Sequence, residues 1–317
     1  MQQRAISASH RLRDVMPAIS ERSRVGVIGL GLLGEAMARR LIAGGFPVTG
    51  YDLDPAKNAG LESLGGSAAN SPAVVAASCD CVVLAVFSTD QVETVVEREL
   101  LPAVGQSSGK MVLCASTCDP DRIAALGERA VANGLGFLET PVSGSSGQVG
   151  RGEGVGLVGG ERETLLQAEP VLRALFQSYF HIGKIGDGGR AKLAINLILG
   201  LNRLALAEGL VFAERLGLDP AAFLDVARRA ACHSQVMDIK GPRMVRGDFA
   251  PEGRLAQHLK DVHLILQQAQ RVQQQLPLLQ VHADVLEACV RQGEGEQDNS
   301  IVINEIRRRS GVNPSAS

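Results

Sequence analysis

The feature that most constrains this chain is the run Gly29-Leu30-Gly31-Leu32-Leu33-Gly34, because of what flanks it. It follows the apolar stretch Val25-Gly26-Val27-Ile28, opens a helical stretch at Glu35, and precedes a β-branched run ending just before Asp52. In a chain with 36 glycines the spacing alone would carry little weight. Between a strand and a helix it has a physical purpose. Two glycines let the chain turn tightly and let a pyrophosphate approach the backbone, and Gly34 lets helix pack on strand. The helix N-terminus then offers free N–H groups to an anion. The expectation is a dinucleotide cradle formed by Gly29, Leu30, Gly31, Leu32, Leu33 and Gly34. Asp52 stands where a carboxylate accepts ribose hydroxyls, and with Asp54 it would repel a 2′-phosphate, which favours NAD over NADP.

From residue 24 to about 186, short β-branched runs alternate with helical stretches. Strands are predicted at 24–29, 48–51, 81–87, 110–115, 135–139 and 155–158. Asp54-Pro55, Ser71-Pro72 and Asp119-Pro120 read as helix starts: an oxygen caps free N–H groups, and a proline sits where no N–H is needed. Gly44-Gly45 reads as a helix stop. Such alternation predicts a mostly parallel sheet with helices on both faces. Beyond Gly188 only helical patterns follow, including 255–275 and 277–291, with a boundary in the Gly-rich stretch 184–190. Residues 189–215 are apolar almost all round, which predicts burial in a core or a subunit interface. The expected organisation is α/β: a loose extension over 1–23, a Rossmann-type doubly wound domain over 24–186, and an all-helical domain over 187–317. A homodimer or homotetramer is expected, and a monomer in sedimentation would count against it.

Composition excludes several classes. A formal net charge of -2 with no Trp and two Tyr offers neither a basic face nor stacking platforms for nucleic acid. The paired cysteines Cys79/Cys81 and Cys114/Cys118 lack zinc-knuckle spacing and border apolar runs, so reduced core thiols and a metal-free site are expected. Cys232 and Cys289 are read the same way. The apolar stretch 193–213 is interrupted by Asn196, Asn202, Arg203 and Glu208, too polar for a lipid-facing helix, so a cytoplasmic protein without membrane contact is expected. The histidines show no ligand or triad spacing; His233 is placed in a pocket-lining loop.

Two further stretches, Thr140-Pro141-Val142-Ser143-Gly144 and Gly186-Asp187-Gly188-Gly189-Arg190-Ala191-Lys192-Leu193-Ala194-Ile195-Asn196, join the N-terminal glycines and Lys260-Asp261 in one order. Together they closely resemble the β-hydroxyacid dehydrogenase family, whose members include 3-hydroxyisobutyrate dehydrogenase and tartronate semialdehyde reductase. The resemblance covers residues 24 to about 305. It implies an NAD(P)-dependent hydride transfer on a small 3-hydroxy acid. Lys192 matches the family's catalytic acid/base and Asn196 its substrate-orienting asparagine. Four-residue spacing puts both on one helix face, and the apolar neighbours of Lys192 would lower its pKa by desolvation. By the same resemblance Ser143 and Gly144 hold the substrate carboxylate. Lys260 matches a lysine near both nicotinamide and substrate, and Val86, Phe87, Gln91 and Thr117 line the cofactor groove. Where family members continue with glycine this chain has Ser145, whose hydroxymethyl group points to a polar substrate such as tartronate semialdehyde or a sugar acid.

Three other readings stay open. An imine reductase shares the fold, but such sequences generally replace the lysine that stands here at 192. A 6-phosphogluconate dehydrogenase has a larger helical domain. A non-catalytic dinucleotide-binding protein would not be expected to keep Lys192, Asn196 and Ser143 together.

Overall fold

The computed structural model describes residues 19–20, 22–105 and 109–311. Nine strands form one sheet: β1 Val25–Ile28, β2 Val48–Tyr51, β3 Ser67–Ala68, β4 Cys81–Leu84, β5 Met111–Cys114, β6 Gly136–Glu139, β7 Val142–Ser143, β8 Val155–Gly159 and β9 Ser178–Gly183. The order is β3-β2-β1-β4-β5-β6-β8-β7, with β9 also paired to β8. The pairs from β3 through β6 are parallel, while β8 runs antiparallel to both β6 and β7. In the succession 3-2-1-4-5-6 the order reverses between β1 and β4. An open parallel sheet binds its ligand at such a point, beyond the carboxyl ends of the strands.

The central strands β1, β4, β5 and β6 are buried along their whole length, which is why they read as continuous apolar runs rather than alternating ones. One face of the sheet packs with Met37, Leu41, Val171 and Leu172, the other with Val75, Val92, Ile123 and Leu126. The three predicted helix starts are capped as expected. Asp54 accepts from Ala56 N–H, Ser71 from Val74 N–H, and Asp119 from Asp121 and Arg122 N–H.

The structure corrects several boundaries. The run predicted as strand over 81–87 leaves the sheet after Leu84, because Ala85, Val86 and Phe87 form a loop above it. β3, β7 and β9 were not predicted. The first two are two residues long, and most of β9 is exposed, so no buried alternation marks it. Part of the expected 1–23 extension, residues 1–18 and 21, lies outside the described residues. Within it Ile19 is not loose: it is buried in the core and its N–H donates to the Gln167 carbonyl at 3.1 Å. All six cysteines are free thiols; five are buried, but Cys232 is exposed, lying beyond the helix Pro220–Ala227 rather than on a strand.

After β9 the chain turns at Gly186, in the left-handed region at φ 97°, into the helix Asp187–Arg215. This helix packs on β8 near its start and then on the helices Leu255–Arg271 and Val302–Arg309. It is long and apolar enough to cross a membrane by composition. Its buried face nevertheless carries Lys192, Asn196 and Arg203. It is not buried all round: Ile198 is 62% and Phe212 65% exposed.

Candidate active site

The glycine run forms the expected turn above β1. Gly29 has φ 89° and donates its N–H to the Tyr51 carbonyl at 2.9 Å, tying the turn to β2. A Cβ on Gly34 would stand 1.8 Å from the Gly29 carbonyl oxygen, so only glycine lets the helix Leu32–Ala43 start this close to the strand. At Gly31 a Cβ would meet nothing within 4 Å, and as N-cap it has no side chain to offer the first turn. An open helix N-terminus with free N–H groups fits the pyrophosphate of a dinucleotide. Asp52 stands beside it, accepting from Leu30 N–H at 2.7 Å and Asp54 N–H at 2.9 Å. The Lys57 ammonium lies 3.3 Å from Asp52, a cation that the sequence reading had not weighed.

Across the sheet's switch point, Phe87 N–H donates to Gln91 Oε1 at 2.8 Å, and the Phe87 ring is about half exposed. Lys260 reaches over from the helix Leu255–Arg271. Its Nζ donates to the Thr117 carbonyl at 2.7 Å, pairs with Asp261 at 3.0 Å, and lies 5.7 Å from the Phe87 ring centroid. Phe87, Gln91, Thr117 and Lys260 are thus brought together, with Val86 half-buried between them and the sheet.

A cavity of about 260 Å³ lies between the Ser143–Gln148 loop and the helical half. Lys192, Asn196, Leu199 and Arg203 line it from the long helix. Their spacing of four, three and four residues keeps them on one helix face. Lys192 is buried, and that burial pushes its ammonium down to about 8 from the usual 10.5, against the pull of the Asp261 carboxylate. Asn196 Nδ2 donates to Asp261 Oδ2 at 2.9 Å, which fixes the amide beside Lys192. One carboxylate thus holds Asn196 on one oxygen and Lys260 on the other.

Ser143, Gly144 and Ser145 face the same cavity. Gly144 has φ 142°, a backbone conformation that suits glycine. Ser145 caps the short helix Ser146–Gly150: its hydroxyl accepts from Gln148 N–H, and Gln148 Oε1 accepts from Ser145 N–H at 2.9 Å. The Ser145 oxygen is therefore already used by the protein, although the residue still borders the cavity.

The far wall is the loop before the helix Leu255–Arg271, braced by Asp298, which is fully buried. Asp298 binds Lys240 Nζ through both oxygens at 2.9 Å and accepts from the N–H groups of Glu252, Gly253 and Ser300 at 3.1 Å. Beneath the cavity His258 and His282 share a hydrogen bond between their Nε2 atoms at 3.0 Å. Burial holds both rings well below their ordinary pKa, His282 at about 4, so the pair is neutral. Gly200 makes room for them; its Cβ would lie 2.7 Å from His258 Nε2.

Two family descriptions match the chain. The NAD binding domain of 6-phosphogluconate dehydrogenase matches residues 24–183, and the NAD-binding region of NADP-dependent 3-hydroxyisobutyrate dehydrogenase matches residues 186–306. The L-threonate dehydrogenase of Cupriavidus necator is 31% identical over 280 residues, 88% of this chain and 94% of that protein. The chain belongs to the β-hydroxyacid dehydrogenase family. Another relative of this family member is the 2-hydroxy-3-oxopropionate reductase of Escherichia coli, 28% identical over 285 residues, 89% of this chain and 97% of that protein. A solved 3-hydroxyisobutyrate dehydrogenase from Salmonella typhimurium superposes with a TM-score of 0.82 at 27% identity, covering 89% of this chain and 99% of that one. The dehydrogenase is an oxidoreductase with a nicotinamide dinucleotide fold, a Rossmann-type sheet followed by helices.

Within this family member the structure divides the residues singled out from sequence into two groups. Ser143, Gly144, Ser145, Lys192 and Asn196 share the cavity. Lys260 does not line it and stands on the groove side with Thr117 and Phe87. His233 lies outside the cavity, exposed and bonded to Asp238 at 2.8 Å. Asp261, Lys240, Asp298, His258 and Arg203 were not singled out as site residues. Two of them carried a usable signal: Asp261 as the neighbour of Lys260 in a quoted stretch, and Arg203 as the continuation of the Lys192–Asn196 helix face.

Proposed function

We propose that this dehydrogenase interconverts a small 3-hydroxy acid and its aldehyde or keto form, using NAD, with Lys192 as the general acid/base. The observation that carries the reading is a buried ammonium, lowered toward neutrality, in one cavity with Asn196 and the Ser143–Gly144 loop. A proton shuttle works best with a pKa near the operating pH. The Ser143 hydroxyl and Gly144 N–H bind the substrate carboxylate. Asn196, held by Asp261, orients the reacting oxygen. Lys192 removes the hydroxyl proton in oxidation and returns it in reduction. A nicotinamide dinucleotide held at the Gly29–Gly34 turn and Asp52 would supply the hydride acceptor or donor. The relatives named for threonate, 2-hydroxy-3-oxopropionate and 3-hydroxyisobutyrate support a small hydroxy acid or its oxo form.

NAD is favoured by the Asp52 carboxylate beside the glycine turn, which would repel a 2′-phosphate despite Lys57. The test follows reduced-cofactor absorbance over L-threonate, 3-hydroxyisobutyrate and 2-hydroxy-3-oxopropionate with each cofactor. The expected kcat/KM favours NAD by roughly 10-fold or more, as like-charge repulsion at a partly buried site implies. Equal use of NADP overturns the cofactor assignment. Absence of turnover on every acid, with dinucleotide binding intact, overturns the reaction.

A further inference from the structure

Arg203 is a buried cation with no side-chain hydrogen bond or close ion pair among the described residues, Asp298 being the carboxylate that acts on it. It is 3% exposed, and its Nε and Nη1 form no hydrogen bond among the described residues. A guanidinium carries five N–H donors, and burying them unmatched is costly, so buried arginines are ordinarily paired. The neighbouring carboxylates are committed elsewhere. Asp298 is taken by Lys240, three backbone N–H groups and the Ser300 hydroxyl. Glu252 pairs with Arg243 at 3.1 Å and Glu153 with Arg151 at 2.8 Å, while Asp261 holds Asn196 and Lys260. The histidine pair beneath is neutral and self-satisfied at its Nε2 atoms.

The cavity thus has two cations on one helix face, Lys192 and Arg203, that make no close ion pair among the described residues and feel Asp261 and Asp298 only at a distance. They stand eleven positions apart, a backbone rise of roughly 16 Å. The two charges are nevertheless close enough to act on one another: both line the cavity, and the Arg203 guanidinium adds to the forces that hold the Lys192 ammonium down. Lys192 serves the reacting oxygen. Arg203 lines the same cavity further along the helix, and its planar fork suits a carboxylate bound through two parallel N–H···O bonds.

We propose that Arg203 binds a second carboxylate on the substrate, at the end remote from the reacting hydroxyl, so that the preferred substrate is a dicarboxylate hydroxy acid or its semialdehyde. The proposal rests on the reading of Lys192 and Ser143–Gly144 as the reaction site and adds the substrate's other end. It also accounts for a cavity that is positively charged on the helix side before any ligand binds.

The test compares two acids with the same reacting centre. 3-Hydroxyisobutyrate carries a methyl branch, and 2-(hydroxymethyl)glutarate carries a carboxyethyl branch at the same carbon. The full-length enzyme with saturating cofactor is expected to prefer the glutarate in kcat/KM. In Arg203→Met that preference should shrink by about 100-fold, the usual cost of truncating one partner of a buried hydrogen-bonded charge pair. Arg203→Lys should restore part of it. An unchanged ratio in Arg203→Met overturns the proposal, as does a wild-type enzyme that turns over the methyl acid and rejects the glutarate. Failure of both acids in wild type, where Lys192→Met is equally silent, overturns the underlying reaction instead. A measurement without turnover guards against a misfolded variant. Glutarate should raise the wild-type melting temperature at concentrations where butyrate does not, and equal effects count against Arg203. A phosphonate in place of the remote carboxylate tells a general anion site from a carboxylate fork: equal turnover of the two overturns the fork, and preference for the carboxylate supports it.

Discussion

Replacing Lys192 with Met is expected to lower turnover by about 1,000-fold, the middle of the range for removing a positioned proton-transfer group. The same variant should bind NAD as the wild type does, since Lys192 lines the substrate cavity and not the glycine cradle. It should also be more stable. Burial has driven the ammonium down to about 8 from 10.5. Above pH 10.5 the amine is neutral in both folded and unfolded chains and costs nothing. As pH falls toward 8 the unfolded chain takes up a proton that the folded protein resists, so stability drops across that window. Below 8 the full penalty is present, on the order of 3 kcal/mol. Methionine removes the charge and keeps the volume. A gain of that order at pH 7, vanishing as pH approaches 10.5, is the signature sought by thermal unfolding of both proteins.

The pH dependence of wild-type turnover follows from the same shift. Oxidation needs the neutral amine, so its rate should climb through about pH 8; reduction needs the ammonium and should fall through the same point. Opposite limbs sharing one midpoint identify a single group acting in both directions. If Lys192→Met keeps its activity, or if both directions respond to pH alike, Lys192 is not the proton shuttle.

How much of this was legible in the sequence depended on whether the signal was local. The glycine turn, the Asp-Pro and Ser-Pro caps and the buried central strands are encoded within a few neighbouring residues, and those readings agree with the structure closely. β9 escaped notice because Ser178, Phe180, His181 and Ile182 are not held in a core. The strand predicted over 81–87 ran too long for the opposite reason: Val86 packs on the core from a loop and Phe87 stands beside Lys260, so both are apolar without belonging to the sheet. At the site, Lys192 and Asn196 could be found because one helix face carries both. Asp261, His258 and His282 reach it from two other helices, and no spacing in the chain announces that His258 will meet His282. Arg203 was visible as a break in an apolar helix. Its meaning emerged only when the structure left its Nε and Nη1 without a hydrogen bond among the described residues.

The largest loss of stability is expected at Asp298, which belongs to no recognisable motif. Burial alone would push its carboxyl upward, but the Lys240 ammonium and the Ser300 donors outweigh that and hold it below the ordinary carboxylate range. The group therefore contributes stability that is present above about pH 4 and lost as pH falls through its lowered native value. In Asp298→Ala the Lys240 ammonium is left buried without its close partner, with Glu252 3.8 Å away as the nearest remaining carboxylate. The N–H groups of Glu252, Gly253 and Ser300 lose their acceptor. Removing one member of a buried pair costs roughly 3–5 kcal/mol, which for a chain of this size is a fall in melting temperature on the order of 10 °C. Because Glu252, Gly253 and Arg254 line the cavity, KM should rise more than kcat falls. The double variant Asp298→Leu with Lys240→Met removes both charges and should recover much of the loss. That recovery separates the cost of an orphaned ammonium from the worth of the pair itself. Should the double variant be no better than Asp298→Ala, the backbone N–H groups, and not Lys240, are what Asp298 is there to satisfy.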